Sequence, residues 1–344
     1  MEFTGFVDES YNRYGIERVG NVPKLTNLPY EYMVSRGITG IKPIKVSGAN
    51  GIVGTSYETV GSEGGLLTYL ATAQTLKVVS SDVADAGTLL SSGTCTDGST
   101  TLVIEDTGAD FVGDGVAAGD VVLIEPPTTG FRTDYNRYGV VSDVTATQLT
   151  LYRALDTIPT GLTYRVVNNS GTGAGVVVLD GLDSDYNPIF EYVVTNGTTA
   201  VATTKEFIRV IFAKCISVGT TGANKGAVSI KNNAASATHL IIPAAFPTSL
   251  TAAYTVPANK TLYISSVFYD ESINVRVLLD LYKRQYKESV FIPQGAYARL
   301  RLSAIQLYLK VPIRVPEKCD VEVRALGAGG GNALVSATFM GWLE

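Results

Sequence analysis

At 344 residues the chain is long enough for two domains with separate cores, since single cores stop growing at roughly 250 to 300 residues. Its 35 glycines, 19 tyrosines, single tryptophan and histidine and 17% charged residues favour β structure with many tight turns over helices. A net charge of -5 leaves no basic face for a nucleic-acid backbone or a membrane surface, so neither is expected as a partner.

Residues 1–75 are polar and turn-rich, with Pro23, Pro29 and Pro43 and glycines at short intervals. Such a segment buries too little apolar surface to offset an ordering entropy of roughly 1 to 2 kcal/mol per residue. Tyr11, Tyr14, Tyr30, Tyr32, Met33 and Ile38 still supply apolar anchors at intervals. Two readings fit the mixture equally: an extended arm lying on a neighbouring subunit, and an irregular loop covering its own domain. The opening MEFTGFVDESYNRYG is acidic where a secretory leader is basic and then apolar, so no leader is expected, and no apolar run reaches spanning length.

Strands begin at Leu76 with LKVVSSDVADAG and are then interrupted. Residues 87–166 hold five short strand candidates, 100–105, 120–125, 139–143, 148–152 and 162–167, separated by turn chemistry such as GADFVGDGVAAGD and EPPTTG. Excising them joins SSDVADA to NSGTGAGVVVLDGLD as one strand-turn-strand passage. That predicts a small β-barrel inserted into a loop of a first sandwich made of residues 76–86 and 167–240. The pentapeptide Tyr-Asn-Arg-Tyr-Gly occurs at both 11–15 and 135–139. Tyr and Arg carry much of the energy of protein interfaces. The candidate interface residues are therefore Tyr11, Arg13, Tyr14, Tyr30 and Tyr32 in the arm and Tyr135, Arg137 and Tyr138 in the insertion, against chance repetition in a Tyr-rich chain.

Between 170 and 230, the apolar runs 176–179, 191–194 and 207–212 alternate with turn clusters at 181–185, 196–197 and 219–222, the spacing of a sandwich or barrel. Asn196-Gly197 accepts the positive φ of a type I′ turn and is expected at a hairpin tip. Residues 241–344 form the second expected sandwich, with strands at 263–269, 274–281, 298–303, 306–313, 320–325 and 332–339. VRVLLDLYKRQYKE also admits a short helix, but the alternation of Val275, Val277, Leu279 and Leu281 favours a strand. The glycine run 327–331 lies between two strand candidates and reads as a hairpin connection, not a phosphate loop. The expected fold is all-β, with tandem antiparallel β-sandwich (jelly-roll-like) domains, an inserted small β-barrel and an extended N-terminal arm.

Chemistry is sparse, and an enzyme is not expected. His239 is the only histidine, beside Leu240 and Ile241, where a structural imidazole outweighs a catalytic one. Cys95, Cys215 and Cys319 are far apart, which suits buried small hydrophobes in a reduced compartment better than a disulfide or metal set. The acid pairs Asp183 with Asp185 and Glu105 with Asp106 have the residue type of a glycosidase but sit in turns. Asp183-Ser184-Asp185-Tyr186-Asn187 resembles half a calcium loop, yet Pro188 stands where the loop needs Gly, and a turn capping its own backbone explains it as well. No cofactor is expected.

The turn Gly181-Leu182-Asp183 leading to Tyr186-Asn187, the stretch Asn196-Gly197-Thr198-Thr199, Val256-Pro257-Ala258-Asn259-Lys260 and Val315-Pro316-Glu317-Lys318-Cys319-Asp320 together resemble a group of virion structural proteins of tailed bacteriophages. The likeness covers residues 80–86 and 170–344, and the insertion separately looks like small β modules carried in loops of phage structural proteins. The resemblance implies a particle component with no catalytic residues to transfer. The expected function is a capsid decoration or cement protein, a homotrimer folded in the host bacterial cytoplasm, whose arm binds the major capsid protein or another virion protein. The alternative is a tail, fibre or vertex protein that binds a host surface glycan through Tyr-rich loops.

Overall fold

A computed structural model describes residues 42–97, 100–125, 130, 137–156, 159–328 and 332–344, and before them the backbone of a hairpin, Glu17–Val19 with Val22–Lys24. The fold is all-β, built from antiparallel sheets.

The first sandwich packs a three-stranded sheet, ordered Pro188–Val194, Val176–Leu182, Arg209–Ser217, on a four-stranded one, ordered Val201–Phe207, Gln74–Ser80, Val228–Asn232, Thr238–Ile242. Its core follows the period of two that a pleated strand imposes: Leu76 and Val78, Val177 and Leu179, Val228 and Ile230, Leu240 and Ile242. Strand Thr238–Ile242 belongs to this sandwich, so the expected boundary at residues 240 and 241 falls inside a strand. Asn196-Gly197 is not a hairpin tip. It arches from Pro188–Val194 in one sheet to Val201–Phe207 in the other. Gly197 has φ 55°, donates its N–H to the Asp85 carbonyl and accepts from Ser80, so the turn, closed on itself by Thr199 N–H to the Asn196 carbonyl, is also stitched to a third strand.

Strand Val176–Leu182 is buried at every position. Val177 and Leu179 face the sandwich core, while Val176 and Val178 face a separate cluster with Val121, Leu123, Val167, Phe190 and Tyr192. The unbroken run VVVL is the sequence sign of a strand covered on both faces. The cover is the insertion, a sheet ordered Leu89–Thr94, Thr163–Val167, Val121–Ile124, Tyr138–Val144, Gln148–Leu151, Val103–Glu105. Its two ends are joined by an isolated bridge between Asp97 and Glu105. Strand Leu89–Thr94 escaped the sequence reading because LLSSGT is half polar and mostly outside the core. The insertion's inner side chains, among them Ile104, Phe111, Leu149 and Tyr164, make a core of their own. Its two ends meet where Asn168 N–H donates to the Thr88 carbonyl at 2.9 Å.

The second sandwich pairs a sheet ordered Ala253–Thr255, Asp320–Gly327, Val277–Arg284, Ile292–Pro293, with Ala298–Leu300 and Glu58–Thr59 alongside, against a sheet ordered Ser303–Val315, Leu262–Glu271, Ala333–Leu343, Lys42–Val53. Residues 42–53, counted with the arm on composition, are therefore a twelve-residue edge strand on the C-terminal strand Ala333–Leu343. Pro43 and the glycines hide the alternation in which Ile44 and Val46 pack on the core. Gly48 is obligatory there, because a Cβ would lie 2.1 Å from the Val60 carbonyl oxygen and 2.2 Å from the Ala252 nitrogen. The ambiguous stretch is a strand, Val277–Arg284. The glycine run beginning at Gly327 links two sheets instead of closing a hairpin.

The insertion leaves the sandwich beside Asp85, whose side chain is fully buried. Its Oδ1 accepts the N–H groups of Ala174 (2.7 Å) and Lys225 (2.8 Å), and Oδ2 accepts Gly226 N–H (2.8 Å) and the Ser80 hydroxyl (2.5 Å). Asp85→Ala strands two buried N–H groups, those of Ala174 and Gly226, and a part-buried third, that of Lys225, so it is expected to lower the unfolding free energy by about 3 kcal/mol. Urea denaturation followed by circular dichroism measures it, and a loss under about 1 kcal/mol would mean the carboxylate does not hold this junction.

Candidate functional site

The chain passes between the sandwiches twice, and polar side chains concentrate where it does. Asp320 opens strand Asp320–Gly327 of the second sandwich, and Arg209 opens Arg209–Ser217 of the first. Arg209 Nε lies 2.9 Å from Asp320 Oδ1, and Arg284 Nε and Nη2 lie 3.0 and 2.5 Å from Oδ2. Thr255 Oγ1 donates to Oδ1 at 2.6 Å. The remaining Arg209 nitrogen, Nη1, donates to the carbonyls of Leu70 and Ile208 at 2.9 and 2.7 Å. Tyr69 covers both guanidiniums, its ring centre 5.0 Å from Arg209 and 4.3 Å from Arg284, while its hydroxyl donates to Glu322 Oε2 at 2.9 Å. Burial, then the neighbouring Glu322, pushes the Tyr69 phenol well above its ordinary range, and burial also raises Glu322 against the pull of Arg324.

Above this joint lies a cleft of about 680 Å³ between the sandwiches. Arg209, Arg284 and Asp320 are in its wall with Tyr186, Tyr286, Lys287 and Lys318. Tyr186 and Tyr286 meet edge to face, ring centres 5.5 Å apart, and Lys318 Nζ stands 5.7 and 5.4 Å from the two. Lys287 Nζ is 5.3 Å from the Tyr286 ring. Tyr186, Lys287 and Lys318 all have left-handed backbones, φ 68°, 65° and 60°, the strained conformation that tends to collect at ligand clamps. Three turns distant in sequence build this rim: Tyr186 carbonyl accepts Ala258 N–H (3.0 Å), Val256 carbonyl accepts Lys318 N–H (2.8 Å) and Glu317 Oε2 accepts Asn259 N–H (2.7 Å). The cleft is not visible in the sequence because its lining comes from five separate segments, around residues 69–73, 184–186, 208–209, 284–289 and 318–320.

On the other side of the joint His239 and Thr251 line a water-sized cavity of about 20 Å³. His239 Nδ1 donates to the Thr68 carbonyl at 2.7 Å, and burial lowers its pKa, so the ring is neutral and structural. Glu63 receives the Thr251 hydroxyl in a short hydrogen bond and the Ile241 N–H at 3.3 Å. Burial raises its pKa to about 7.

Of the candidate interface residues, Tyr11, Arg13, Tyr14, Tyr30, Tyr32 and Tyr135 lie outside the described residues. Arg137 and Tyr138 are half-buried and engaged within the chain: Arg137 Nε sits 3.1 Å from Asp156 Oδ1, and the Tyr138 ring packs 6.4 Å from Tyr192. Asp183 caps its own turn, accepting the N–H groups of Asp185 and Asn187, both at 2.9 Å. Asp106 accepts the Tyr164 hydroxyl at 2.8 Å and Glu105 accepts Gln148 at 2.8 Å, so the two carboxylates serve different partners. The three cysteines are buried and unbridged, and burial pushes the Cys215 thiol up to about 12. The surface feature the sequence did not single out is strand Ser303–Val315, thirteen residues paired on one side only, with Ile305, Tyr308 and Val311 exposed. No protein-family model matches the chain. No curated protein matches it either.

Asp320→Ala leaves the buried Arg209 guanidinium and the part-buried Arg284 guanidinium without their carboxylate and is expected to cost about 3 kcal/mol in urea unfolding, part of which Arg209→Met restores in the double variant. Equal stability of Asp320→Ala and wild type would remove the joint as a structural determinant. Glu63 gives a pH signature. Between its unfolded value of 4.5 and its folded value of about 7, the native chain holds the extra proton, so stability falls as pH rises through that window. Glu63→Gln is expected to gain about 1–3 kcal/mol relative to wild type between about pH 5 and pH 8. His239 pulls the opposite way, losing stability as pH falls, but it is present in both proteins and cancels from the difference.

Proposed function

We propose that the chain is a structural component of a bacteriophage particle, a capsid decoration or cement protein that binds the assembled shell through its N-terminal segment. The observation that carries this reading is the pair of strands that end one sheet of the second sandwich, Ser303–Val315 on one side and, on the other, Lys42–Val53, whose outer edge is closed from Ala49 onward by the bond of the Ala49 N–H to the Leu250 carbonyl and is free before that among the described residues. Strands Lys42–Val53 and Ser303–Val315 bound that sheet and run in opposite directions, since each step between them is antiparallel. The free edge of one copy therefore meets the other edge of the next copy antiparallel, around a rotation axis, as a ring of identical subunits requires. A homotrimer is the ring we assign. The 41 residues before Lys42 lead into one of these strands, and their sequence carries the tyrosine anchors that this reading assigns to shell binding. The resemblance to tailed-phage virion proteins supports the same role. Such a protein acts by mass action, binding the assembled shell and stabilising it by the binding free energy, multiplied over many copies.

Light scattering is expected to give a trimer, and Tyr308→Lys, at an exposed side chain on the free edge of Ser303–Val315, a folded monomer. Deleting residues 1–41 is expected to leave the trimer intact and abolish co-sedimentation with purified shells. Copy number against the major capsid protein, by quantitative gel densitometry, should be hundreds per particle. A truncated protein that still decorates shells to the same level overturns the arm's role. A dozen copies or fewer per particle moves the protein to the tail, a fibre or a vertex.

A further inference from the structure

We propose that the cleft between the sandwiches binds a segment of acidic polysaccharide, a sugar chain carrying carboxylates, with Lys287 and Lys318 meeting the charges and Tyr286 the sugar faces. Its volume, about 680 Å³, lies within the roughly 300–1,000 Å³ usual for ligand sites. Its charge runs against the molecule's. The chain has 27 Lys and Arg against 32 Asp and Glu, yet Arg209, Arg284, Lys287 and Lys318 line the cleft with only Asp320 and Glu288 opposing them. Asp320 is already shared by two guanidiniums, so it leaves the floor net positive. Neither lysine has a carboxylate within ion-pair reach among the described residues, and both stand over the Tyr286 ring. An anion that enters finds two cations ready to exchange a weak ring contact for a charge-assisted hydrogen bond.

The neutral part of the lining selects between anionic polymers. Ser184, Gln285 and Ser289 offer hydroxyls and an amide, and Tyr286, 43% exposed, offers an aromatic face. Hydroxyl-rich rings with an apolar face use all of these, whereas a polyglutamate chain uses the cations and the polar groups and leaves the aromatic face without a partner. The left-handed backbones of Tyr186, Lys287 and Lys318 set the points from which those side chains leave the rim before the ligand arrives. The inference stands apart from shell binding, because the cleft lies between the sandwiches and not on the open sheet edges.

Calorimetry on the full chain with oligomers of galacturonate, mannuronate and sialic acid, with a neutral glucan oligomer and polyglutamate as comparators, tests it. At least one acidic oligosaccharide is expected to bind, more weakly as salt rises, and Lys287→Ala with Lys318→Ala to weaken it by about tenfold or more. Tyr286→Ala, which removes the ring and keeps both charges, is expected to weaken the oligosaccharide and leave its salt dependence unchanged. All three are surface changes whose folding circular dichroism checks. The proposal is overturned if none of the three acidic oligomers binds, if the neutral glucan binds equally, or if polyglutamate binds as tightly and is indifferent to Tyr286→Ala. Loss of shell binding on deleting residues 1–41 with saccharide binding retained would separate the two roles.

Discussion

The arrangement of the two sandwiches depends on one carboxylate. Asp320 receives hydrogen bonds from Arg209, Thr255 and Arg284, on three different strands, one of them in the other sandwich. A buried ion pair is by itself weak evidence for stability, because desolvation offsets most of the Coulomb gain. What distinguishes this one is how fully the charges are satisfied: both oxygens accept, Arg209 spends its remaining nitrogen on two carbonyls, and Tyr69 and Phe291 cover the guanidinium faces. The effect is directional. A greasy joint lets two sandwiches slide, whereas this one admits a single registration, and the cleft above it inherits that rigidity. Its floor is built from the same guanidiniums.

The chain path makes this joint an internal matter. The second sandwich is assembled from residues 42–59 and 253–343, the first sits between those segments, and the insertion sits inside the first. Each level closes only when the chain returns from the level within it, so the outer sheet joins strands nearly 300 residues apart, as in the pairing of Val46 with Phe339. Loop-closure entropy grows slowly with length, so such closure is thermodynamically tolerable if the enclosed unit is already compact. The two-faced strand Val176–Leu182 supplies that compactness, since docking the insertion on one face and the first sandwich's other sheet on the opposite face completes the inner unit before the ends meet.

The sequence made the strands legible and the sheets only partly so. The unbroken apolar run in 176–182 reports a strand covered on both faces and the period-two pattern in 262–271 one with a single buried face, while the strand expected at 274–281 lies three residues further on, at Val277–Arg284. Turn chemistry is local, and it misled at Asn196-Gly197 and at the glycine run after Gly327. A glycine-bearing turn says that the chain reverses, not whether the next strand joins the same sheet or the facing one, and in a sandwich that choice is made by core packing. Strand Lys42–Val53 was hidden by Pro43, Gly48 and Gly51, residues tolerated at an edge or demanded by a close approach. The cleft was illegible for a different reason. Tyr186, Tyr286 and Lys318 are ordinary loop residues in sequence, and only tertiary contacts, the joint at Asp320 and the bonds of the 256–259 turn to Tyr186, Glu317 and Lys318, bring their loops together.

The two edges of the outer sheet show where contact with another chain is permitted. Proteins blunt exposed edges with lysine, proline and bulges. Here Pro43 and Lys45 stand on one edge and Lys310 and Pro312 on the other, beside the register shift opposite Ile264 and Ser266. The pairing Ile313 to Ile264 to Gly341 to Ile44 puts these protective residues at the same height in the sheet. At the opposite height, where Ser303 aligns through Glu271 and Val335 with Asn50, neither edge has a proline or a lysine, and Ile305, Tyr308 and Ile52 are exposed. An edge meant to stay in water needs guarding along its length. The two edges differ in this: the Ser303–Tyr308 half carries no guard, whereas at the same height of the other edge Ala49 N–H is taken by the Leu250 carbonyl and Ile52 N–H by Asn50 Oδ1, so the chain itself closes that stretch.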